Sequence, residues 1–174
     1  MFGTRVWSGL LAMALSVAAT LVAQDLPTIA GESLAGHHVA LPGAASGKVA
    51  VLILGFSKAS KTPTSAWGQR IEKDFAGTAH LVLYQLPVLE DVPGFIRGMV
   101  ISSMRKGVPE DHRDYFVPVL HGESDLKKLV SYQEPDDAYL ILLDRSGKIA
   151  YQMHGMLSEP GYIEFRQRIV ALLR

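Results

Sequence analysis

Three largely apolar runs of strand length dominate the pattern of the chain. The first, Val49–Phe56, is rich in Val, Ile and Leu and is bounded by turn residues, which predicts a strand buried on both faces. The second covers residues 79–89, and the third is AYLILLD at 138–144. A tight turn at 145–147 and the returning segment 148–155 predict that the third run is the first strand of a hairpin.

The segment between the first two runs has the periodicity of a helix. Trp67, Ile71 and Phe75 recur at every fourth residue and predict a buried face. Thr62 is the expected N-cap, with Pro63 in the first turn, where its missing N–H is harmless. A crossover helix of this kind makes the two strands that it joins parallel.

Two further helices and a hairpin are predicted, together with a polar turn or short helix and then a short strand within residues 110–120, and a short helix over residues 123–132. A helix is predicted over Pro93–Lys106, and the last helix begins at Pro160. Residues 26–42 hold two short extended pieces broken by glycine and proline, which is typical of a hairpin. The chain therefore predicts the α/β class, as a three-layer α/β/α sandwich around a central mixed sheet.

The first residues have a different character. Met1–Arg5 carry one positive charge, and residues 6–22 are almost wholly apolar, which is typical of an export signal. Cleavage is expected after Ala23 or after Ala19. The alternative is an uncleaved anchor, because an apolar run of about 17 residues lies at the lower limit for spanning a bilayer.

This start sets the expected domain organisation and location. Residues 1–23 are predicted to be a signal peptide or N-terminal anchor, and residues 24–174 a single domain. The domain is expected to be exported to the periplasm or cell envelope, soluble if the signal is cleaved and anchored if it is not. Membrane contact is expected only through the N-terminal segment.

The amino-acid composition excludes several classes of partner and reaction. Seventeen basic side chains balance seventeen acidic ones, so no positive field attracts a phosphate backbone, and nucleic acid is not an expected partner. The 174 residues contain no cysteine, which excludes a thiol or disulfide reaction of their own. The histidines are scattered without ligand spacing, so neither a metal nor another cofactor is expected.

Residues 26–174 resemble an exported thioredoxin-like, redoxin or peroxiredoxin-type domain. The resemblance is carried by LPTIAGESLAGHHVALPGAASGKVAVLILGFS, by YLILLDRSGKIAYQMHG and by the final helix. It implies that the loop GFSKASKTPTSAW would hold reactive cysteines at the start of a helix, where the helix dipole lowers the pKa of a thiol.

This chain departs from that pattern at two places. Only hydroxyl side chains stand where the cysteines are expected, and a hydroxyl has a pKa far above that of a thiol. The cis-proline of such domains would precede AYLILLD, but Ala138 occupies its place and Pro135 lies three residues earlier. The usual reaction centre is therefore expected to be vacant.

Within this superfamily, the chain is most similar to the mitochondrial ATP synthase assembly-factor family. The similarity rests on GFSKASKTPTSAW, on VPGFIRGMVISSMRKGVPEDHRDYF and on DDAYLILLDRSGKIAYQMHG, in that order and spacing. It implies a thioredoxin-like domain that acts as a chaperone for a membrane subunit of the synthase. The family's positively charged, tryptophan-bearing pattern after the final turn is replaced here by residues 150–152, so the client need not be the same.

The vacated loop offers three interpretations. Its candidate binding residues are Ser57, Lys58, Ser60, Lys61, Thr62, Ser65 and Trp67. A Ser–Lys dyad requires a desolvated lysine, and this polar loop gives no sign of burial, so solvated loop or helix cap is the preferred interpretation. A small-anion site at the helix start, flanked by the two lysines, is the third interpretation.

The predicted helix Pro93–Lys106 offers a candidate partner surface, formed by Phe95, Met99, Met104, Arg105 and Lys106. Methionine-rich faces adapt to partners of varied shape. Packing in the core explains the same pattern, and it is the preferred interpretation.

The leading hypothesis is a non-catalytic, exported thioredoxin-like domain that binds a protein partner, as an assembly factor or chaperone for an envelope or membrane complex. The alternatives are a redoxin-type antioxidant oxidoreductase that relies on a partner's thiol, and a small-anion binding protein.

Overall fold

The computed structural model describes residues 24–174, so the predicted signal or anchor lies outside the described residues. The strands are β1 (Gln24–Asp25), β2 (Ile29–Glu32), β3 (His38–Leu41), β4 (Val49–Gly55), β5 (Leu81–Pro87), β6 (Ala138–Leu143) and β7 (Lys148–Gly155). The α-helices are α1 (Lys61–Asp74), α2 (Gly94–Gly107), α3 (Glu123–Leu129) and α4 (Glu159–Leu173).

Five strands form one mixed sheet in the order β1-β7-β6-β4-β5. Strand β4 runs parallel to β5, as the crossover through α1 predicts, and antiparallel to β6. Strands β6 and β7 form the predicted hairpin. Beyond β5, residues 116–119 add short parallel pairing, since the N–H groups of Val117 and Val119 each donate to a β5 carbonyl at 2.9 Å. The β2–β3 hairpin is separate.

The side chains of β4 alternate between two cores. Val49, Val51 and Ile53 lie in a cluster with α1 and α4. The alternate residues face the β2–β3 hairpin, the 116–119 segment and α3. Every residue of β4 is buried, so the prediction of a strand covered on both faces is confirmed, and so is the three-layer α/β/α arrangement.

Helix α1 begins earlier than the sequence predicts. Ser60 is the N-cap residue, and Thr62, the predicted cap, lies in the first turn. The reason is that the chain turns before the helix starts: the Lys61 N–H donates to the Lys58 carbonyl at 3.4 Å and the Thr62 N–H to the Ala59 carbonyl at 3.2 Å. The prediction that Thr62 caps this helix is therefore wrong.

Helix α2 lies outside the core. It has no fully buried residue, and its apolar side chains divide between two environments: Phe95 and Met99 are exposed, so the interpretation as core packing is wrong for these two, while Ile96, Val100, Ile101 and Met104 are half-buried. Its anchors are two arginines that donate to carbonyl oxygens: Arg97 to Glu90 at 2.8 Å and Arg105 to Leu34 at 2.8 Å. These contacts hold the two ends of the helix against the rest of the domain. No helix formed within residues 24–174 has the length and apolar character to cross a bilayer.

The packing of α4 on α1 makes stability sensitive to alkaline pH. The Tyr162 hydroxyl donates to Asp74 Oδ2 at 2.7 Å, and burial, with this hydrogen bond, raises the pKa of Tyr162 to about 12. An unfolded tyrosine titrates near pH 10, so the stabilisation is complete below that pH and is lost as the pH rises to about 12. We expect a loss of about 2 kcal/mol from this residue, measured by urea unfolding between pH 8 and pH 12.

Tyr162→Phe serves as the comparison for this alkaline loss. Because it has no phenol at this position, its stability should fall less steeply above pH 10. A residual slope is expected, since burial also raises the pKa of Tyr84 and Tyr151. Parallel curves for the two proteins would contradict the assignment to Tyr162.

Candidate functional site

The hydroxyl-rich loop lies where β4 ends and α1 begins. The segment that leads into β6 runs beside it, because the Ser57 hydroxyl donates to Asp136 Oδ1 at 2.6 Å across 79 residues of sequence. The structure therefore brings the loop and the turn before β6 together at one end of the sheet. Both are the places that the sequence singled out.

Two serines close the loop on itself. The Ser60 hydroxyl donates to the Ser57 carbonyl at 2.7 Å and accepts from the Ser57 N–H at 3.3 Å. The Ser57 hydroxyl accepts from the Ser60 N–H at 3.0 Å while it donates to Asp136. Ser60 is buried, and a Cβ at Gly55 would come within 2.5 Å of its hydroxyl. Both hydroxyls have their donors and acceptors within the protein, and neither is hydrogen-bonded to a histidine or lysine of residues 24–174 that could serve as its general base.

The remaining polar residues of the loop do not form a reaction centre. Lys58 and Lys61 are exposed, and no hydrogen bond joins either to a serine within residues 24–174. A general-base lysine needs burial to lower its pKa, so a Ser–Lys dyad has no support here. The Asp136 carboxylate also places negative charge beside the loop, which disfavours an anion as its ligand.

Trp67 belongs to the core and not to the loop surface. Its side chain is fully buried, its Nε1–H donates to the Gly155 carbonyl at 3.1 Å, and its ring packs on Tyr162 and Phe165. Thr62 is exposed and Ser65 is half-buried in the first turns of α1. Of the predicted loop residues, the structure thus brings Ser57 and Ser60 together and separates Trp67 from them.

An aromatic cluster that sequence reasoning missed lies beside this loop. Phe56 packs edge to face on Tyr132 and Tyr139, with ring centroids 5.1 and 5.4 Å apart, and Tyr139 stacks on His154 at 5.2 Å. His154 Nδ1 lies 2.7 Å from Asp137 Oδ2. Phe56, Tyr139 and His154 lie near the ends of β4, β6 and β7, whereas Tyr132 follows α3, so no local pattern of the sequence predicts that the four meet.

Tyr139 holds the turn at the place expected for the cis-proline. Its buried hydroxyl accepts from the N–H groups of Gln133 and Glu134 and donates to the Glu134 carbonyl, each at 3.0 Å. Among residues 24–174 the single cis peptide bond precedes Pro42, so the bond before Pro135 is trans. A side-chain hydroxyl, and not a cis-proline, therefore shapes this turn.

Solved structures resemble this chain along most of its length. A putative thiol:disulfide interchange protein DsbE from Chlorobium tepidum is 16% identical with a TM-score of 0.60, covering 87% of this chain and 97% of its own. BsSco, a member of the Sco family of cytochrome c oxidase assembly proteins, is 12% identical with a TM-score of 0.61, covering 87% and 95%. A SCO1/SenC family lipoprotein from Bacillus anthracis is 13% identical with a TM-score of 0.60, covering 90% and 99%.

The fold is thioredoxin-like. The predicted fold class is confirmed, while identities this low show the fold alone. No family model matches the chain, and no curated protein does. The similarity to the ATP synthase assembly-factor family thus remains a prediction.

A polar groove lies next to the aromatic cluster of this thioredoxin-like domain. It has a volume of about 610 Å³, and Lys127 is one of its lining residues. Lys127 Nζ contacts Glu123 at 2.5 Å, Asp91 at 3.8 Å and the Tyr132 ring at 4.8 Å. The hydrogen bond to Glu123 raises the pKa of Lys127, so the amine stays protonated and is neither a base nor a nucleophile. No group of three His, Asp or Glu side chains suited to a metal ion occurs within residues 24–174.

The thioredoxin-like domain presents most of the candidate partner surface on α2 to solvent. Phe95 is 90% exposed and Met99 69%. Lys106 is exposed as well, whereas Met104 is half-buried and Arg105 is tied to Leu34. We call the exposed side formed by Gly94, Phe95, Gly98, Met99 and Ser102 the outer face of α2. An exposed apolar surface of this kind is typical of an interaction site.

Proposed function

We propose that this protein is a non-catalytic, exported thioredoxin-like domain that binds other proteins and assists the assembly of a membrane complex in the cell envelope. The observation that carries the proposal is the closed loop at the start of α1. In a chain without cysteine, that loop holds hydroxyls that bond to one another and to Asp136. The domain thus has the thioredoxin-like fold, but the loop at the start of α1 contains no thiol that could react.

Three further observations support a role in assembly. The chain shares its fold with BsSco, which belongs to a family of cytochrome c oxidase assembly proteins. The resemblance to the ATP synthase assembly-factor family implies a chaperone for a membrane subunit. The apolar start of the chain favours export, which would bring the domain to the membrane surface.

The outer face of α2 is the surface that we assign to the client. It exposes Phe95 and Met99 side by side, four residues apart on the helix, with no charged side chain between them on that side. Rigid aromatic rings and adaptable methionines are enriched where proteins bind one another. The hydroxyl loop offers no comparable apolar area.

The first test is for redox chemistry. The purified protein, supplied with thioredoxin, glutathione or dithiothreitol, should reduce insulin and consume peroxide no faster than the reagents alone. This follows because no sulfur atom of the chain can form a mixed disulfide. Turnover at the rates of ordinary redoxins would contradict a non-catalytic role.

The second test looks for the client in the native envelope. A photo-crosslinking amino acid replaces Phe95 in the full chain, and Gln167, an exposed residue of a different helix, α4, is replaced as the matched control. We expect a membrane protein to be captured from position 95 and not from position 167. Equal capture from both positions, or none from position 95, would argue against a client on α2.

A further inference from the structure

A second groove lies between α1 and β5. It has a volume of about 450 Å³, and Leu81 and Leu83 of β5 form its floor, with Ile71 and Phe75 of α1 as one wall. All four side chains belong to the apolar cluster between the sheet and α1. A mostly apolar groove of roughly 300–1,000 Å³ with a few polar groups is typical of a small-molecule site.

Gln85 is a polar side chain on this floor. Leu81, Leu83 and Gln85 alternate along one face of β5, so Gln85 lies where a third apolar residue would continue the row. It is half-buried, and its side-chain amide makes no hydrogen bond to any group of residues 24–174. A polar group in an apolar row, without a partner in the protein, is a candidate for recognising a ligand.

Helix α1 makes room for this amide. A Cβ on Gly68, in the middle of the helix, would come within 2.6 Å of Gln85 Nε2 and 3.8 Å of Gln85 Oε1. Glycine inside a helix is unfavourable relative to alanine, and here the space that it leaves is occupied by the amide. The amide nitrogen thus lies against the helix, and the carbonyl oxygen is the atom farther from it.

Charged side chains line the groove as well. His112, in the short helical turn Glu110–Tyr115, lies with Nδ1 3.4 Å from Glu72 Oε1 and with Nε2 3.6 Å from Asp111 Oδ2. The lining therefore holds two carboxylates, against the single ammonium group of Lys48. This excess of negative charge disfavours an anion as the ligand.

We propose that this groove binds a small, neutral, apolar molecule that carries one hydrogen-bond donor. The apolar body lies on Leu81, Leu83 and Phe75, and the donor bonds to Gln85 Oε1. Burial of the apolar body supplies most of the affinity, while the amide and the two carboxylates select a neutral donor over an anion. The groove is separate from the outer face of α2, so the proposal does not depend on the client assigned to that face.

A matched pair of fluorescent probes tests both the affinity and the charge preference. The neutral probe N-phenylnaphthylamine has aromatic rings and one N–H group, and it fluoresces more strongly in apolar surroundings. We expect the purified protein to bind it saturably, with a dissociation constant on the order of 10 µM. Anilinonaphthalene sulfonate adds a negative charge to the same rings and should bind about 10-fold more weakly. No saturable binding of the neutral probe, or equal binding of the sulfonate, would overturn the proposal.

Substitutions locate the bound probe. Ala79 is an exposed loop residue that lines the groove, so Ala79→Phe should fill the groove and weaken binding of the neutral probe about 10-fold while the protein stays folded. Ala171→Phe, at an exposed position of α4, is the matched control and should bind as wild type does. Phe95→Ala should do the same. Loss of the probe in Phe95→Ala, or its retention in Ala79→Phe, would place the site elsewhere and overturn the proposal.

Gln85→Leu tests the hydrogen bond itself, because it removes the acceptor and keeps a side chain of similar size. N-phenylnaphthylamine should bind this variant about 5-fold more weakly than wild type. Benzylnaphthalene, in which a CH₂ group replaces the N–H, should bind the variant at least as well as wild type, measured by displacement of the fluorescent probe. A merely structural role for Gln85 would change the binding of both compounds equally, and that result would overturn the proposal.

Discussion

Replacing Trp67 by alanine is expected to lower the free energy of unfolding by about 3–5 kcal/mol. The side chain is fully buried between α1 and α4, against Tyr162 and Phe165. Its removal leaves a large cavity and also orphans the Gly155 carbonyl, which now accepts from Nε1 at 3.1 Å. Since a domain of this size has a total stability of about 5–15 kcal/mol, the variant should be marginal at 37 °C.

Urea unfolding followed by circular dichroism measures this effect. Trp67→Phe keeps a ring but loses the hydrogen bond, so it should cost less than the alanine variant. Phe95→Ala is the matched control, because it removes an aromatic ring that is 90% exposed and should change stability by no more than about 0.5 kcal/mol. If Trp67→Ala is as stable as wild type but no longer binds a client, Trp67 contributes to binding and not to the core.

The central elements were predictable because their signals are local. Strand β4 and the β6–β7 hairpin are apolar runs bounded by turns, and such runs are buried wherever the sheet lies in the middle layer. The last helix shows the same agreement: Tyr162, Phe165 and Ile169 share one face, and all three are buried.

Helix α2 shows what periodicity leaves undetermined. The predicted helix is confirmed, and its boundaries differ from the prediction by one residue at each end. Periodicity shows that apolar side chains share a face, but it does not show what covers that face. Phe95 and Met99 fit a core helix as well as they fit an interaction surface, and only the position of α2 outside the sheet separates the two.

The sequence predicts where the candidate site lies in the chain, but not which side chains contact one another there. A strand followed by a polar loop and a helix start located the loop from Ser57 to Ser65. The bond from Ser57 to Asp136 and the contact of Phe56 with Tyr139 join residues about eighty positions apart, and no local pattern records such pairs. Trp67 is a candidate loop residue only because it follows the loop in sequence; its spacing with Ile71 predicts a buried side chain, and the structure confirms that second prediction.

The second large effect is expected at Tyr139. Tyr139→Ala removes a fully buried ring and should lower the free energy of unfolding by about 4 kcal/mol. Tyr139→Phe keeps the ring and removes only the hydroxyl that serves two N–H groups and one carbonyl, so it should account for about 2 kcal/mol of that loss. Tyr132→Phe, which changes a half-buried ring nearby, is the control, with a change within about 0.5 kcal/mol.

The hydroxyl of Tyr139 should also govern the closed state of the site. Without it, the amides of Gln133 and Glu134 lose their acceptor, and the turn that carries Asp136 loosens. Hydrogen exchange at these two amides should therefore speed up in Tyr139→Phe, and the Ser60 amide should follow as Ser57 loses its fixed partner. If the turn exchanges faster while Ser60 stays protected, the two serines hold the loop closed by themselves and Asp136 is dispensable.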